Sequence, residues 1–160
     1  MAVTEPDQGI RTSFFFCQRL DPDQDRNRRS LEMEFGPSVV FYPMPCGGRV
    51  ETIHLLRALE EGADRVVVIT CPRGQCRYGE GNLRAQKRLL YARSLVREIG
   101  LEPERLEIRP ASLGSALRID EIIRPILLEA WNLGPSPLRR AQRKDTGGIT
   151  GDNSGEKALR

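Results

Sequence analysis

Val66-Val67-Val68-Ile69-Thr70-Cys71-Pro72-Arg73-Gly74-Gln75-Cys76 sets the fold class of this chain. Its first five residues are apolar or β-branched without alternation, the pattern of a strand buried on both faces of a parallel sheet. The run stops at Cys71, and a Pro/Gly loop carries the chain past Cys76 to Gly79 and Gly81. A long helix is then predicted to about Ile99. Leu89, Ala92, Val96 and Ile99 lie on one face, and Gly100 ends it. Strand, loop and helix in this order make half of a βαβ unit.

Outward from this unit the pattern repeats. Upstream, Thr12–Cys17 and Val39–Met44 read as strands, the second apolar enough to be buried on both faces. Gln18–Ser30, crowded with Asp, Arg, Asn and Gln, reads as a loop, with a short helix over Arg29–Phe35. Cys46-Gly47-Gly48-Arg49 is a tight turn into a helix from about Val50 to Glu61, stopped by Gly62; Val50, Ile53, Leu55, Leu56 and Leu59 follow helical spacing. Downstream, Leu106–Arg109 forms a fourth strand. A last helix spans about Ser115–Leu133, with Ile119, Ile122, Ile123, Ile126, Leu127 and Ala130 inward and Pro125 kinking or dividing it. Alternating strands and helices predict an α/β fold: a small doubly wound parallel sheet of about four strands with right-handed crossovers, flavodoxin- or Rossmann-like.

Cys17, Cys46, Cys71 and Cys76 each fall where a strand-like run stops or in the loop beyond it. Parallel strands bring their carboxyl ends to one edge, where α/β proteins hold ligands. Thiolates are soft, charged donors, and four at one edge point to a metal or iron–sulfur site. The spacing lacks the paired C-x2-C knuckles of a zinc ribbon; only Cys71 and Cys76 are close, as C-x4-C. Three alternatives stand beside this reading. Cysteines directly after strands also serve as small core fillers. A second alternative has the thiolates hold Zn2+ in a structural module that bridges partners. Finally, Cys71 to Arg77 fits C-x5-R between strand and helix, the layout of a cysteine phosphatase with Cys71 as nucleophile and Arg77 as phosphate clamp. Against that last reading, Pro72 removes an N–H donor, no Ser or Thr follows Arg77, and Cys17 and Cys46 are left without a role.

The chain has 160 residues and a net charge of +3. From Pro135 onward, Arg139, Arg140, Arg143, Lys144, Lys157 and Arg160 face Asp145, Asp152 and Glu156, which accounts for the whole excess. The domain itself is charge-balanced, giving no ground for nucleic-acid binding. Residues 1–11 are expected to be a flexible N-terminus, 12–134 the α/β iron–sulfur domain and 135–160 a disordered basic tail. No apolar run reaches the roughly 18–20 residues that span a bilayer, and the N-terminus lacks a secretory pattern. A cytoplasmic protein without membrane contact is expected, in a compartment that keeps thiols reduced.

The motifs resemble one family in combination. Cys46-Gly47-Gly48-Arg49-Val50 resembles the cysteine turn of the delta subunit of methyl-viologen-reducing hydrogenase. The helix end Leu56–Asp64, the linker Leu101–Leu106 and above all Cys71-x4-Cys76-Arg77-Tyr78-Gly79-Glu80-Gly81-Asn82 are similar to that family too. The likeness covers roughly Phe14 to Gly134. It implies a [2Fe-2S] cluster on Cys17, Cys46, Cys71 and Cys76. It also implies a hetero-oligomer that relays electrons between hydrogenase or formate dehydrogenase subunits and a heterodisulfide-reductase-like flavoprotein. Two positions depart from the family pattern: Leu20 stands where a second cysteine of a C-x-x-C pair is common, and Arg77 replaces a histidine. The single histidine, His54, reads as a helix-surface residue. Gly47, Gly48 and Gly74 are expected to bring backbone N–H groups close to the sulfurs, and Arg19, Arg49, Arg73 and Arg77 to raise the potential. Trp131 and Gln18–Ser30 are the expected contact regions for partner subunits.

Overall fold

The computed structural model describes residues 9–112 and 118–139. Four strands, β1 (Thr12–Cys17), β2 (Val39–Met44), β3 (Arg65–Thr70) and β4 (Leu106–Pro110), form one sheet in the order β2-β1-β3-β4. Every pairing is parallel. This is the flavodoxin-like order, whose ligand crevice opens between the carboxyl ends of β1 and β3.

The pleat divides the core. Phe14, Phe16, Val67 and Ile69 face the side covered by α1 (Gln24–Phe35) and α4 (Ile119–Leu128), through Leu31, Ile119, Ile123 and Ile126. Phe15, Val66 and Val68 face α2 (Thr52–Glu60) and α3 (Gly81–Glu98), through Leu55, Leu59, Leu89, Ala92 and Val96. Phe15 stacks on Tyr42 at 4.6 Å between ring centroids, and Phe14 on Phe41 at 5.6 Å. All six residues of β1 and of β3 are buried. β2, expected to be covered on both faces, is an edge strand with Val40 exposed. Its Pro43, which has no N–H to offer a further strand, suits an edge.

Three other expectations change. Most of the presumed loop Gln18–Ser30 is helix, because α1 begins at Gln24. The buried Asp21 carboxylate organises its start: it accepts from Asp23 N–H, from Asn27 Nδ2 and from Ile119 N–H across the core. The last helix is shorter than expected, ending at Leu128, three residues past Pro125, and Ala130 is exposed; its predicted start at Ser115 lies outside the described residues.

The segment after Pro135 also begins inside the domain. Asp64, fully buried, accepts from Arg11 N–H at 2.8 Å and Ser136 N–H at 2.6 Å, and pairs with buried Arg139. Buried Arg105 donates to the carbonyls of Asp64, Leu133 and Gly134. Beside it, Arg65 pairs with Glu107 and Glu129, donates to the Ile126 carbonyl and lies 5.0 Å from the Trp131 ring centroid. These contacts hold both ends of the described chain to the amino end of the sheet. The remainder of the expected tail, 140–160, lies outside the described residues, as do 1–8 of the expected flexible N-terminus.

Candidate metal centre

The four cysteines reach the carboxyl end of the sheet as two pairs. Cys17 ends β1, Cys71 follows β3, and these strands are neighbours with Phe16 opposite Ile69. Their Sγ atoms stand 3.5 Å apart. This pair sits in the β1/β3 crevice and packs against the α1/α4 core. Cys46 lies two residues beyond β2, and its Sγ is 3.8 Å from that of Cys76, in the loop before α3. All four are free thiols.

Glycines make the second pair possible. Cys46 starts a 3-10 turn over Gly47–Arg49, and Gly48 N–H donates to Cys46 Sγ at 3.4 Å. That turn lies directly on the start of α3. A Cβ on Gly48 would meet Gly81 Cα at 2.7 Å, and a Cβ on Gly81 would meet Cys46 Sγ at 2.5 Å and Cys76 Sγ at 2.9 Å. No side chain fits at either position. Gly48 behaves as expected, but Gly74 does not approach a sulfur; its φ of 78° turns the loop. Gly47 packs on Thr70. Gly81 is the site residue that sequence reasoning takes only for a helix start; its signal is the Gly79/Gly81 repeat soon after a cysteine.

Cys71 and Cys76 differ electrically. Burial, then the adjoining Cys17 thiol, pushes the Cys71 pKa up to about 12. Burial raises Cys46 as well, against the pull of Gly48 N–H. Burial opposes ionisation of Cys76 too, but the N–H groups of Tyr78, Gly81 and Asn82 outweigh it and hold its pKa below the ordinary value. The start of α3 therefore favours negative charge on Cys76. A phosphatase nucleophile needs a depressed pKa, whereas burial and the Cys17 thiol raise that of Cys71, which argues against the C-x5-R reading.

Among the described residues no three His, Cys, Asp or Glu side chains gather as a single metal ion requires. Two thiol pairs do suit a centre with two irons, each taking two thiolates. A tetrahedral metal with bonds of about 2.3 Å sets its sulfurs about 3.8 Å apart, and the observed separations are 3.5 and 3.8 Å. His54 takes no part. Its Nδ1 accepts from Glu51 N–H at 3.0 Å and caps α2. Leu20 is buried core. Arg19, Arg49, Arg73 and Arg77 are exposed. Trp131, an expected docking residue, donates to the Gly134 carbonyl at the other end of the sheet.

Residues 13–134 match the family model described as methyl-viologen-reducing hydrogenase, delta subunit. The chain belongs to this family. It is 36% identical over 111 residues to the iron-sulfur subunit of the F420-non-reducing hydrogenase of Archaeoglobus profundus, covering 69% of this chain and 81% of that protein. The corresponding vhu iron-sulfur subunit of Methanopyrus kandleri is 37% identical over 102 residues, 64% of this chain and 77% of the relative. A third relative is far larger. It is one of the subunits of the ferredoxin:CoB-CoM heterodisulfide reductase of Methanosarcina mazei, 35% identical over 97 residues, which are 59% of this chain but 12% of that protein. This delta-subunit fold is thus shared by hydrogenase subunits and by a segment of a heterodisulfide reductase. No helix among the described residues is long and apolar enough to cross a membrane.

Proposed function

We propose that this chain is an electron-transfer subunit that holds a [2Fe-2S] cluster, with Cys17 and Cys71 on one iron and Cys46 and Cys76 on the other. The observation that carries the reading is the arrangement of the thiols as two pairs at 3.5 and 3.8 Å, at the carboxyl end of one parallel sheet. When bound, such a cluster supplies a one-electron acceptor and donor. The chain's own contributions are distinct. The β1/β3 crevice buries Cys17 and partly covers Cys71 against the α1/α4 core. Gly48 N–H and the N–H groups at the start of α3 stabilise charge on the outer pair, which favours the reduced form. Gly48 and Gly81 leave open the space the sulfurs occupy.

The kinship with hydrogenase subunits and with a heterodisulfide reductase supports a role between two redox partners. On this reading electrons pass between a hydrogenase- or formate-dehydrogenase-type donor and a heterodisulfide-reductase-type flavoprotein, in a cytoplasmic hetero-oligomer. Anaerobic purification tests the cofactor. Iron and acid-labile sulfide at about two of each per chain, with a visible band bleached by dithionite and a paramagnetic reduced state, are expected. A colourless chain holding one zinc refutes it.

A further inference from the structure

We propose that the outer face of α3, with the Cys71–Glu80 loop and the notch beside Cys46, is the interface to an electron partner whose matching surface is acidic around an apolar centre. This rests on the electron-relay reading and adds to it the position of the contact and the chemistry of the partner.

Two independent features coincide here. The first is uncompensated charge. Arg28, Arg65, Arg88, Arg105, Arg109, Arg118, Arg124 and Arg139 all pair with carboxylates. Around the outer thiol pair, Arg49, Arg73, Arg77, Arg84 and Lys87 are exposed, and none has a carboxylate within ion-pair distance among the described residues. The acids nearby do not balance them: Glu51 is held by Arg88, which leaves Glu80. The second feature is apolar. Ala85, Leu89, Ala92 and Val96 face the core, whereas Leu83, Leu90 and Tyr91 stand 50, 53 and 60% exposed on the opposite side, with Lys87 among them at helical spacing. Tyr78, 63% exposed, adds an aromatic ring beside Cys46 and Arg84 in the loop before α3.

An open notch of about 310 Å³ sets part of the basic group beside the metal centre. Its walls include Cys46, Arg49, Tyr78 and Arg84, together with Glu51 paired to Arg88, which leaves Arg49 and Arg84 as its unpaired charges among the described residues. Exposed leucine and tyrosine inside a basic rim is the composition of a protein interface, with aromatics and Arg enriched. Nucleic acid would call for cations without the leucines. The complement of this surface is a partner segment that brings Asp or Glu into the notch and sets an apolar side chain on the Leu83/Leu90 stripe. Such charge pairing orients the encounter and speeds association.

Lysine content provides a direct probe. The chain has three lysines, Lys87, Lys144 and Lys157, and only Lys87 lies in the domain. The assembly is purified through a tagged full-length chain and treated with a carbodiimide, which joins an amine to a carboxylate at zero length. Mass spectrometry is expected to find Lys87 bonded to an Asp or Glu of another subunit, with the link suppressed at about 0.5 M salt. Arg84→Glu with Lys87→Glu is expected to weaken partner retention about tenfold or more while iron content stays unchanged. Arg26→Glu with Arg29→Glu on α1, across the sheet, is expected to do neither. The proposal is overturned by normal assembly of the Arg84/Lys87 variant, by hydrogen-exchange protection confined to α1 and α4, by a chain that purifies alone, or by contact through nucleic acid. Lys87 cross-links in an assembly whose chain lacks iron and sulfide would uphold this interface and reject the electron relay.

Discussion

The two ends of this sheet hold polar groups in opposite ways. At the amino end, Asp64, Arg65, Arg105, Glu107, Glu129 and Arg139 satisfy one another and the neighbouring backbone, down to three carbonyls on the single guanidinium of Arg105. At the carboxyl end, four free thiols stand in two pairs, and five cations nearby stand without carboxylates among the described residues. A polar set that closes on itself is structural, because a buried charge without partners is costly. A set that stays open is arranged for something the chain does not supply. Position in the fold separates the two: strand carboxyl ends carry ligands, and this amino end fastens the termini.

The largest effect expected from breaking this contrast is at the closed end. Asp64→Ala leaves Arg139 buried without its partner and removes acceptors from Arg11 and Ser136. We expect a loss of about 3–5 kcal/mol in denaturant-unfolding stability, with iron content per folded molecule unchanged. Loss of iron in the folded fraction would show that the two ends are not independent. At the open end Gly81→Ala should reverse that outcome: a Cβ at 2.5 Å from Cys46 Sγ is expected to lower iron affinity about 10- to 100-fold. Its apo form should keep the wild-type far-ultraviolet spectrum.

A smaller effect divides the open end itself. In metal-free reduced protein, alkylation mapped by mass spectrometry should reach Cys76 well before Cys71, both of which are partly exposed. Raising Cys71 from 9.0 to about 12 cuts its thiolate about a thousandfold at neutral pH, and greater intrinsic nucleophilicity returns part of that, leaving a rate about 40-fold below an ordinary thiol. Equal labelling of the two would remove the electrical distinction between them. The smallest effect concerns acid. The hydrogen bond from Arg109, against partial desolvation and aided by Arg65, lowers Glu129 to about 2. Its stabilisation is fully present above the unfolded value near 4.5 and fades as pH falls from there to about 2. The carboxylate is 41% exposed, so Glu129→Gln should flatten stability over that window by about 0.5 kcal/mol. A larger change, seen in pH-dependent urea melts, would place Glu129 inside the closed network rather than at its rim.

Unbroken apolar runs make β1 and β3 legible, and with them the placing of Cys17 and Cys71 at the carboxyl edge of the sheet. Helical spacing does the same for α2 and α3. α1 is harder to read because its buried side rests on Leu31 and on Asn27 held by Asp21, a pattern polar enough to pass for loop. The exposed edge of β2 is hidden for another reason: Val39–Phe41 has the composition of a central strand, and only sheet order decides who its neighbours are.

Local sequence determined the donor set, the strand ends that carry it, and the glycines that give the loops their turns. Those are properties of a residue and its near neighbours, set by side-chain chemistry and backbone sterics. Tertiary packing alone decided that Cys17 meets Cys71 and Cys46 meets Cys76, 54 and 30 residues apart, that Gly81 is the floor beneath two sulfurs, and that Arg139 folds back onto Asp64. Such pairings depend on which strands lie side by side and how closely a helix start approaches a turn, and the whole core fixes these at once.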